Sequence, residues 1–255
     1  MNKILISSCT GVGNMILKTP FINSLQENFD NPLIDMIIGY RDRAENIFEN
    51  EEFINERVPI YKKKKFFSIL SFVLSIRKKK YDYIFLPFDD ELGELSKVFI
   101  GLLSGSTLIT HYFLPSFKHP RALIIFITLF LLPRVKLVPF IPARHEVDLN
   151  LDLIQSLKCY PIKFNRKTQL NIIDNQSTLD KFGLQKNNYI IFQLSARSGM
   201  PTPKKWPLKK FIELFDKIKE YNSHLKIVTI GNQADFDAEI SEFIKLRKDI
   251  VNSAG

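Results

Sequence analysis

The first forty residues alternate between short apolar runs and a stretch with helical spacing, and this alternation limits the fold more than any other feature. Lys3–Ser7 is typical of a buried strand, the chain turns at Gly11 and Gly13, and a helical pattern continues to about Phe29. Leu33–Ile38 is a second strand-like run. A strand, a helix and a second strand at this spacing form a βαβ unit, whose right-handed crossover implies a parallel sheet. We therefore predict an α/β fold.

The same alternation continues through the rest of the chain, with no internal repeat or low-complexity linker. The predicted strands are Tyr81–Phe88, Thr107–His111, Tyr189–Leu194, Lys226–Ile230 and one that begins at Asp249, and the predicted helices include Gly93–Leu103 and His145–Leu157. Because the pattern weakens around residues 161–188, we predict two domains, 1–170 and 171–255.

Charge and cysteine content narrow the class of protein. The 255 residues carry a net charge of +9, which favours an anionic partner such as nucleic acid, an acidic membrane surface or a phosphorylated substrate. Cys9 and Cys159 form no C-x-x-C, so they indicate neither a disulfide framework nor a metal site, and a reducing cytoplasm fits. Polar residues end the apolar run Ile4–Ser7 too early for a signal peptide.

Two apolar stretches raise the question of membrane contact. Ala122–Leu132 is shorter than the roughly 20 residues that a spanning helix needs, so we expect a buried helix or an interfacial one. Phe66–Ile76 lies between the basic clusters Lys62–Lys65 and Arg77–Lys80. Its apolar face either rests on a membrane or packs into the core, and packing into the core is the commoner arrangement.

A polar loop lies between the predicted strand Tyr189–Leu194 and a helical pattern for which Pro207 suits the first position. Its hydroxyl and cationic side chains are Ser195, Arg197, Ser198, Thr202 and Lys204. A strand, a polar loop and a helix N-terminus are how α/β proteins hold a phosphate or diphosphate. An ordinary βα connection with a solvated basic loop explains the pattern equally well.

Lys204-x-Trp206-Pro207 after a buried strand resembles the signature of glycosyltransferase family 9, the lipopolysaccharide heptosyltransferase-like group. Further segments match the family in order: Gly13-Asn14, Thr19-Pro20, Tyr81-Asp82, His145 and Gly231–Asp235. The resemblance implies a GT-B fold with two Rossmann-like domains and parallel sheets. The first domain would bind the acceptor, and the second, incomplete here, would bind the nucleotide sugar.

The reaction implied by the resemblance is inverting sugar transfer, of heptose or a related sugar, from a nucleotide-diphosphate donor without metal or cofactor. Lys204 would stabilise the leaving diphosphate, with Ser195, Arg197, Ser198 and Thr202 as further donor contacts, while Asp235 would contact the nucleoside and Gly11 and Gly13 would form the acceptor loop. The implied partners are a nucleotide sugar and a lipid-linked or phosphorylated glycan acceptor, not nucleic acid. We expect a cytoplasmic protein, peripheral on the inner face of the cytoplasmic membrane.

One departure concerns the catalytic base. Asn14 stands where the family has an Asp, and an amide cannot accept the acceptor's proton at neutral pH. Asp89, Asp90 or Glu91 could serve instead, the acceptor could carry its own base, or the protein could be inactive. His145 is better explained as the start of a helix.

The second departure from the family's pattern is at the end of the sequence. Ser253-Ala254-Gly255 resembles a segment after which the family's second domain continues, so we expect a truncated form of a longer enzyme.

A non-catalytic member that binds a nucleotide sugar or an assembly partner is the alternative. An NAD-dependent oxidoreductase is disfavoured, because Ile16 replaces the third glycine of the fingerprint and no acidic residue ends the second strand.

Overall fold

The computed structural model describes residues 1–8, 10–38, 48, 51–59, 66–88, 92–113, 120–157, 163–170, 176–194, 206–231, 236–247 and 249–253. The chain divides into two compact units, Met1–Ile172 and Ile173–Gly255. Each unit has its own parallel sheet, so the predicted α/β class is confirmed.

A six-stranded sheet forms the centre of the first unit. Its strands are β1 (Lys3–Ser8), β2 (Leu33–Ile38), β3 (Glu56–Pro59), β4 (Tyr83–Leu86), β5 (Thr107–Tyr112) and β6 (Val135–Pro139). They lie in the order β3-β2-β1-β4-β5-β6, and every neighbouring pair is parallel. The chain moves outwards from β1 to β3 and then returns to β4, so the winding direction reverses between β1 and β4.

Helices cover both faces of this sheet. They are α1 (Val12–Ile16), α2 (Thr19–Asn28), α3 (Phe66–Lys79), α4 (Glu94–Leu103), α5 (Pro120–Leu131) and α6 (Glu146–Gln155). α2 packs against α6, whereas α4 packs against both α3 and α5. Successive strand residues point to opposite faces, so Ile4 and Ile6 join one core cluster and Leu5 joins the other. Burial on both faces explains why the central strands are apolar throughout.

The second unit contains a three-stranded parallel sheet within its described residues. Its strands are β7 (Tyr189–Gln193), β8 (Lys226–Ile230) and β9 (Ile250–Asn252), in that order, and its helices are α7 (Gln176–Lys181), α8 (Leu208–Tyr221) and α9 (Ala238–Leu246). Phe192, Phe215, Ile227 and Phe243 belong to its core. The Asp237 carboxylate caps α9 by accepting from the Ile240 N–H at 2.9 Å.

Several predictions about individual elements were wrong or incomplete. The helix predicted to run to Phe29 is broken at residues 17–18, between α1 and α2, and Pro207 is the N-cap of α8 rather than its first helical residue. β3, β6 and α7 were not predicted, because these segments are short and have little regular apolar spacing. For Ala122–Leu132 the sequence left two alternatives, a buried or an interfacial helix, and the buried one is wrong, since Leu129 is the only buried residue of α5.

Candidate functional site

The winding direction of the first sheet reverses between β1 and β4, so its topological switch point lies at the carboxyl ends of these two strands. Open α/β sheets bind ligands at such switch points. α1 follows β1 directly at this edge and carries Asn14, which is partly buried. The chain leaves β4 at Leu86, next to β1. Asp89, Asp90 and Glu91 come next in the sequence but lie outside the described residues, so their part in the site remains a prediction.

Gly11 and Gly13 flank the start of α1 and leave open space around their backbone. A Cβ atom at either position would have no described heavy atom within 4 Å. Gly11 has φ −71°, a value that any residue adopts, so neither packing nor backbone strain explains this glycine. Glycines at this turn are predicted to allow the close approach of a ligand or of another chain segment, and the described atoms leave the space beside both residues open.

Two polar residues near this edge were missed by the sequence analysis. The Lys18 side chain is fully buried at the junction of α1 and α2, where a cation requires polar surroundings. The signal was available, because Lys18 is the only charged residue between Thr10 and Gln26. Ser8, the last residue of β1, is also fully buried, and its Oγ has no hydrogen-bond partner among the described atoms.

An apolar cavity of about 200 Å³ opens beside the carboxyl end of β5. It is lined by residues of α5, by Glu94 of α4 and by His111, Tyr112 and Phe113 of β5 and its exit. His111 is almost fully buried, and its ring lies 6.0 Å from that of Phe88 and 6.4 Å from that of Phe140. Among the described residues, aromatic rings therefore cluster at the carboxyl end of β5.

The predicted donor residues Ser195, Arg197, Ser198, Thr202, Lys204 and Asp235 all lie outside the described residues, so their roles stay predictions. The start of the next helix is described. Trp206 packs edge-on against Phe211 at 4.8 Å, and Pro207 caps α8 without a side-chain hydrogen bond to the helix. The first turn of α8 contains Lys209 and Lys210 and no acidic residue, so its N-terminus is electropositive.

His145 takes the structural role expected from the sequence. It is the N-cap of α6, and its Nδ1 accepts a hydrogen bond from the Val147 N–H at 3.2 Å. Within the described part of the chain, no three His, Cys, Asp or Glu side chains are grouped as a metal ion would require.

No protein-family model matches the chain. Across 248 residues it is 25% identical to lipopolysaccharide heptosyltransferase 3 of Escherichia coli K12, covering 91% of this chain. The chain spans 64% of the length of that relative.

Two solved structures show the same fold. A glycosyltransferase family 9 protein from Veillonella parvula superposes with a TM-score of 0.70 at 17% identity, covering 98% of this chain and 69% of the other. E. coli ADP-heptose lipopolysaccharide heptosyltransferase II superposes with a TM-score of 0.66 at 18% identity, covering 100% of this chain and 73% of that one. The predicted GT-B type of fold is confirmed. This chain is thus similar in sequence to a lipopolysaccharide heptosyltransferase, and similar in fold to a glycosyltransferase family 9 protein and to heptosyltransferase II.

Proposed function

We propose that this chain is a glycosyltransferase that moves heptose or a related sugar from a nucleotide-diphosphate donor to a lipopolysaccharide or another surface glycan. The observation that carries the proposal is the similarity to lipopolysaccharide heptosyltransferase 3 over 91% of the chain. The Lys204-x-Trp206-Pro207 motif at the start of α8 supports it, because that helix would present its positive end to a diphosphate.

The proposed chemistry is inverting and independent of metal. An acceptor hydroxyl attacks the anomeric carbon from the face opposite the leaving group, a new C–O bond forms, and the bond to the diphosphate breaks. The hydroxyl proton passes to a base, while cations stabilise the charge on the departing nucleotide diphosphate. Lys204 and the N-terminus of α8 would supply that positive charge.

The two units have separate parts in this proposal. The first, with the topological switch point between β1 and β4, would bind the acceptor, and the second would bind the donor. The net charge of +9 supports a lipid-linked or phosphorylated acceptor. With a lipid-linked acceptor, the proposed reaction would take place at the inner face of the cytoplasmic membrane.

Donor affinity tests the proposal directly. ADP-heptose is the first ligand to titrate by calorimetry, since the E. coli structural relative is an ADP-heptose lipopolysaccharide heptosyltransferase. Replacing Lys204 by Ala should weaken binding by about tenfold or more, because one charge-assisted hydrogen bond is lost. Lys205→Ala is the matched control and should bind as the parent does. Equal affinities for both variants would remove Lys204 from the donor site.

A non-catalytic chain that binds nucleotide sugar without turnover is the second candidate. One observation favours it: Asn14 stands in α1 at the switch-point edge, where the family's base is expected. Donor binding without transfer would distinguish this candidate from the first.

A further inference from the structure

One helical layer of the first unit exposes large apolar side chains. α5 exposes Ile124 (63%), Phe130 (69%) and Leu131 (72%), and α3 exposes Phe67 (80%). Further exposed apolar residues on α3, α4 and α5 are Phe66, Leu74, Leu95, Leu102 and Ile127. Because α3 packs on α4 and α4 on α5, these residues belong to one continuous helical layer, here called the α3–α5 surface. Contiguous exposed apolar area of this kind marks an interaction site.

α5 departs most from an ordinary surface helix. Its twelve residues include one charged side chain, Arg121, whereas a helix that faces water usually has a polar outer side. At about 18 Å, α5 is shorter than the roughly 30 Å hydrocarbon core of a bilayer. Nowhere in the described chain is a helix both long enough and apolar enough to span a membrane.

The same layer carries an excess of positive charge. The cations on its helices are Arg77, Lys78, Lys79, Lys97 and Arg121, against a single carboxylate, Glu94. Lys97 is buried and pairs with Glu94 at 2.7 Å, and Lys79 pairs with Glu56. Arg77 and Lys78 line one surface depression together with Phe67 and Leu74. Cationic and apolar groups therefore lie side by side on α3.

The opposite helical layer has no such excess. α2 and α6 carry the carboxylates Glu27, Glu146, Asp148 and Asp152, and the cations beside them are Arg144, Lys163, Arg166 and Lys167. Two of these cations form ion pairs, Arg144 with Asp152 and Arg166 with Asp148, each at 2.8 Å. The two sides of the first unit thus differ in both charge balance and exposed apolar area.

We propose that the α3–α5 surface docks the protein on an anionic lipid bilayer. The exposed side chains of α5 and of the start of α3 enter the headgroup region, while Arg77, Lys78 and Arg121 contact lipid phosphates. A second copy fits less well, because pairing this surface with itself would bring like charges together. The biological purpose of this docking rests on the proposed function, since a docked chain would meet a lipid-linked acceptor at the bilayer. Vesicle binding itself needs no donor.

Flotation with lipid vesicles tests this assignment. The chain should float with vesicles that contain phosphatidylglycerol, and much less with pure phosphatidylcholine or at high salt. Lys78→Glu should weaken binding by about fivefold or more. Lys167→Glu is the matched control, because it changes the net charge equally on the opposite layer and should bind as the parent does.

The apolar contribution is tested in the same way. Ile124→Ser/Phe130→Ser should lower vesicle binding by about tenfold or more, whereas Phe164→Ser/Leu246→Ser, which also removes exposed apolar side chains, should have no effect. All four residues are exposed, and thermal melts check that the variants fold. If a double variant fails to fold, the binding of Lys78→Glu and the salt dependence of the parent decide whether the α3–α5 surface docks on the bilayer.

Three results would contradict the proposed docking surface. They are no binding to anionic vesicles, vesicle binding that Lys78→Glu leaves unchanged, and self-association in analytical ultracentrifugation that the Ile124→Ser/Phe130→Ser variant abolishes. Calorimetry with ADP-heptose separates this failure from failure of the proposed function. If the chain binds the donor but not vesicles, only the proposed docking surface is refuted. If it binds vesicles but not the donor, only the proposed sugar transfer is refuted.

Discussion

In the proposed sugar transfer, Asn14 occupies the position where the resemblance places the catalytic base. It lies in α1, directly after β1, at the carboxyl edge where the winding of the sheet reverses. Its amide can orient a hydroxyl group but cannot take up the proton that the acceptor loses. If this proton transfer limits the rate, Asn14→Asp should raise the turnover rate by about a hundredfold or more, the range of general base catalysis.

The measurement is sugar transfer from ADP-heptose, with Asn23→Asp as a control on the neighbouring helix α2. The control should leave the rate unchanged. A parent chain that turns over rapidly, with no gain in the Asn14→Asp variant, would mean that another group accepts the proton. Asp89 and Asp90 would then be the residues to replace.

A buried polar cluster joins β2 to the start of β4. Asp35 is fully buried, and its carboxylate accepts hydrogen bonds from the Tyr81 hydroxyl and from the Asn55 side-chain amide, each at 2.7 Å. The Lys3 Nζ lies 4.0 Å from the same carboxylate. Burial, followed by the hydrogen bond to Asp35, raises the pKa of Tyr81 well above its usual value of 10. The cluster is therefore stable only while Tyr81 keeps its proton.

Tyr81→Phe should lower the free energy of unfolding at pH 7 by about 1–3 kcal/mol, because Asp35 loses a buried hydrogen bond. The pKa of Tyr81 is higher in the folded state, so its stabilising effect is complete below pH 10 and declines as the pH rises above that value. Urea unfolding at pH 7 and pH 11 should thus show a smaller difference between parent and variant at pH 11. The exposed Tyr221→Phe should show no difference at either pH, and a Tyr81→Phe difference that stays constant with pH would contradict the assignment.

At the scale of elements, residues 163–170 are held along α2 by side chains of that helix. Asn28 Nδ2 donates to the Lys163 carbonyl at 2.8 Å, and Asn28 Oδ1 accepts from the Lys163 N–H at 3.0 Å. Ser24 Oγ and Thr19 Oγ1 accept from the backbone N–H groups of Asn165 and Gln169, at 3.0 and 3.1 Å. The polar positions of α2 thus satisfy the backbone of a segment that has no regular secondary structure.

Removing the Asn28 side chain should release the start of this segment. Two hydrogen bonds are lost, so trypsin should cut after Lys163, Arg166 or Lys167 about tenfold faster in Asn28→Ala than in the parent. Asn23→Ala changes the same helix at a position whose side chain has no described hydrogen bond to the segment. Cleavage at equal rates in both variants would show that Asn28 does not hold it.

At the scale of the whole molecule, the chain contains two parallel sheets with separate cores. Ile4, Phe85 and Ile109 are among the residues that form the core on one face of the first sheet, whereas Phe192, Phe215 and Ile227 belong to the core of the second unit. Sequence reasoning predicted this organisation because parallel strands buried on both faces are apolar without alternation. It did not predict the strand order β3-β2-β1-β4-β5-β6, and that order is what puts the topological switch point next to α1.

The sequence by itself determined the class of fold, the central strands and the family resemblance, because each depends on a local pattern such as strand, turn and helix or Lys204-x-Trp206-Pro207. The tertiary structure alone decided which distant residues meet. Tyr81 and Asp35 are 46 positions apart, and no periodicity connects them. It also decided that most side chains of α5 are not buried, because an apolar run has the same sequence pattern whether a neighbouring element covers it or leaves it exposed. Local spacing encodes the tendency of a segment to be buried, whereas burial itself depends on the elements that the fold brings against it.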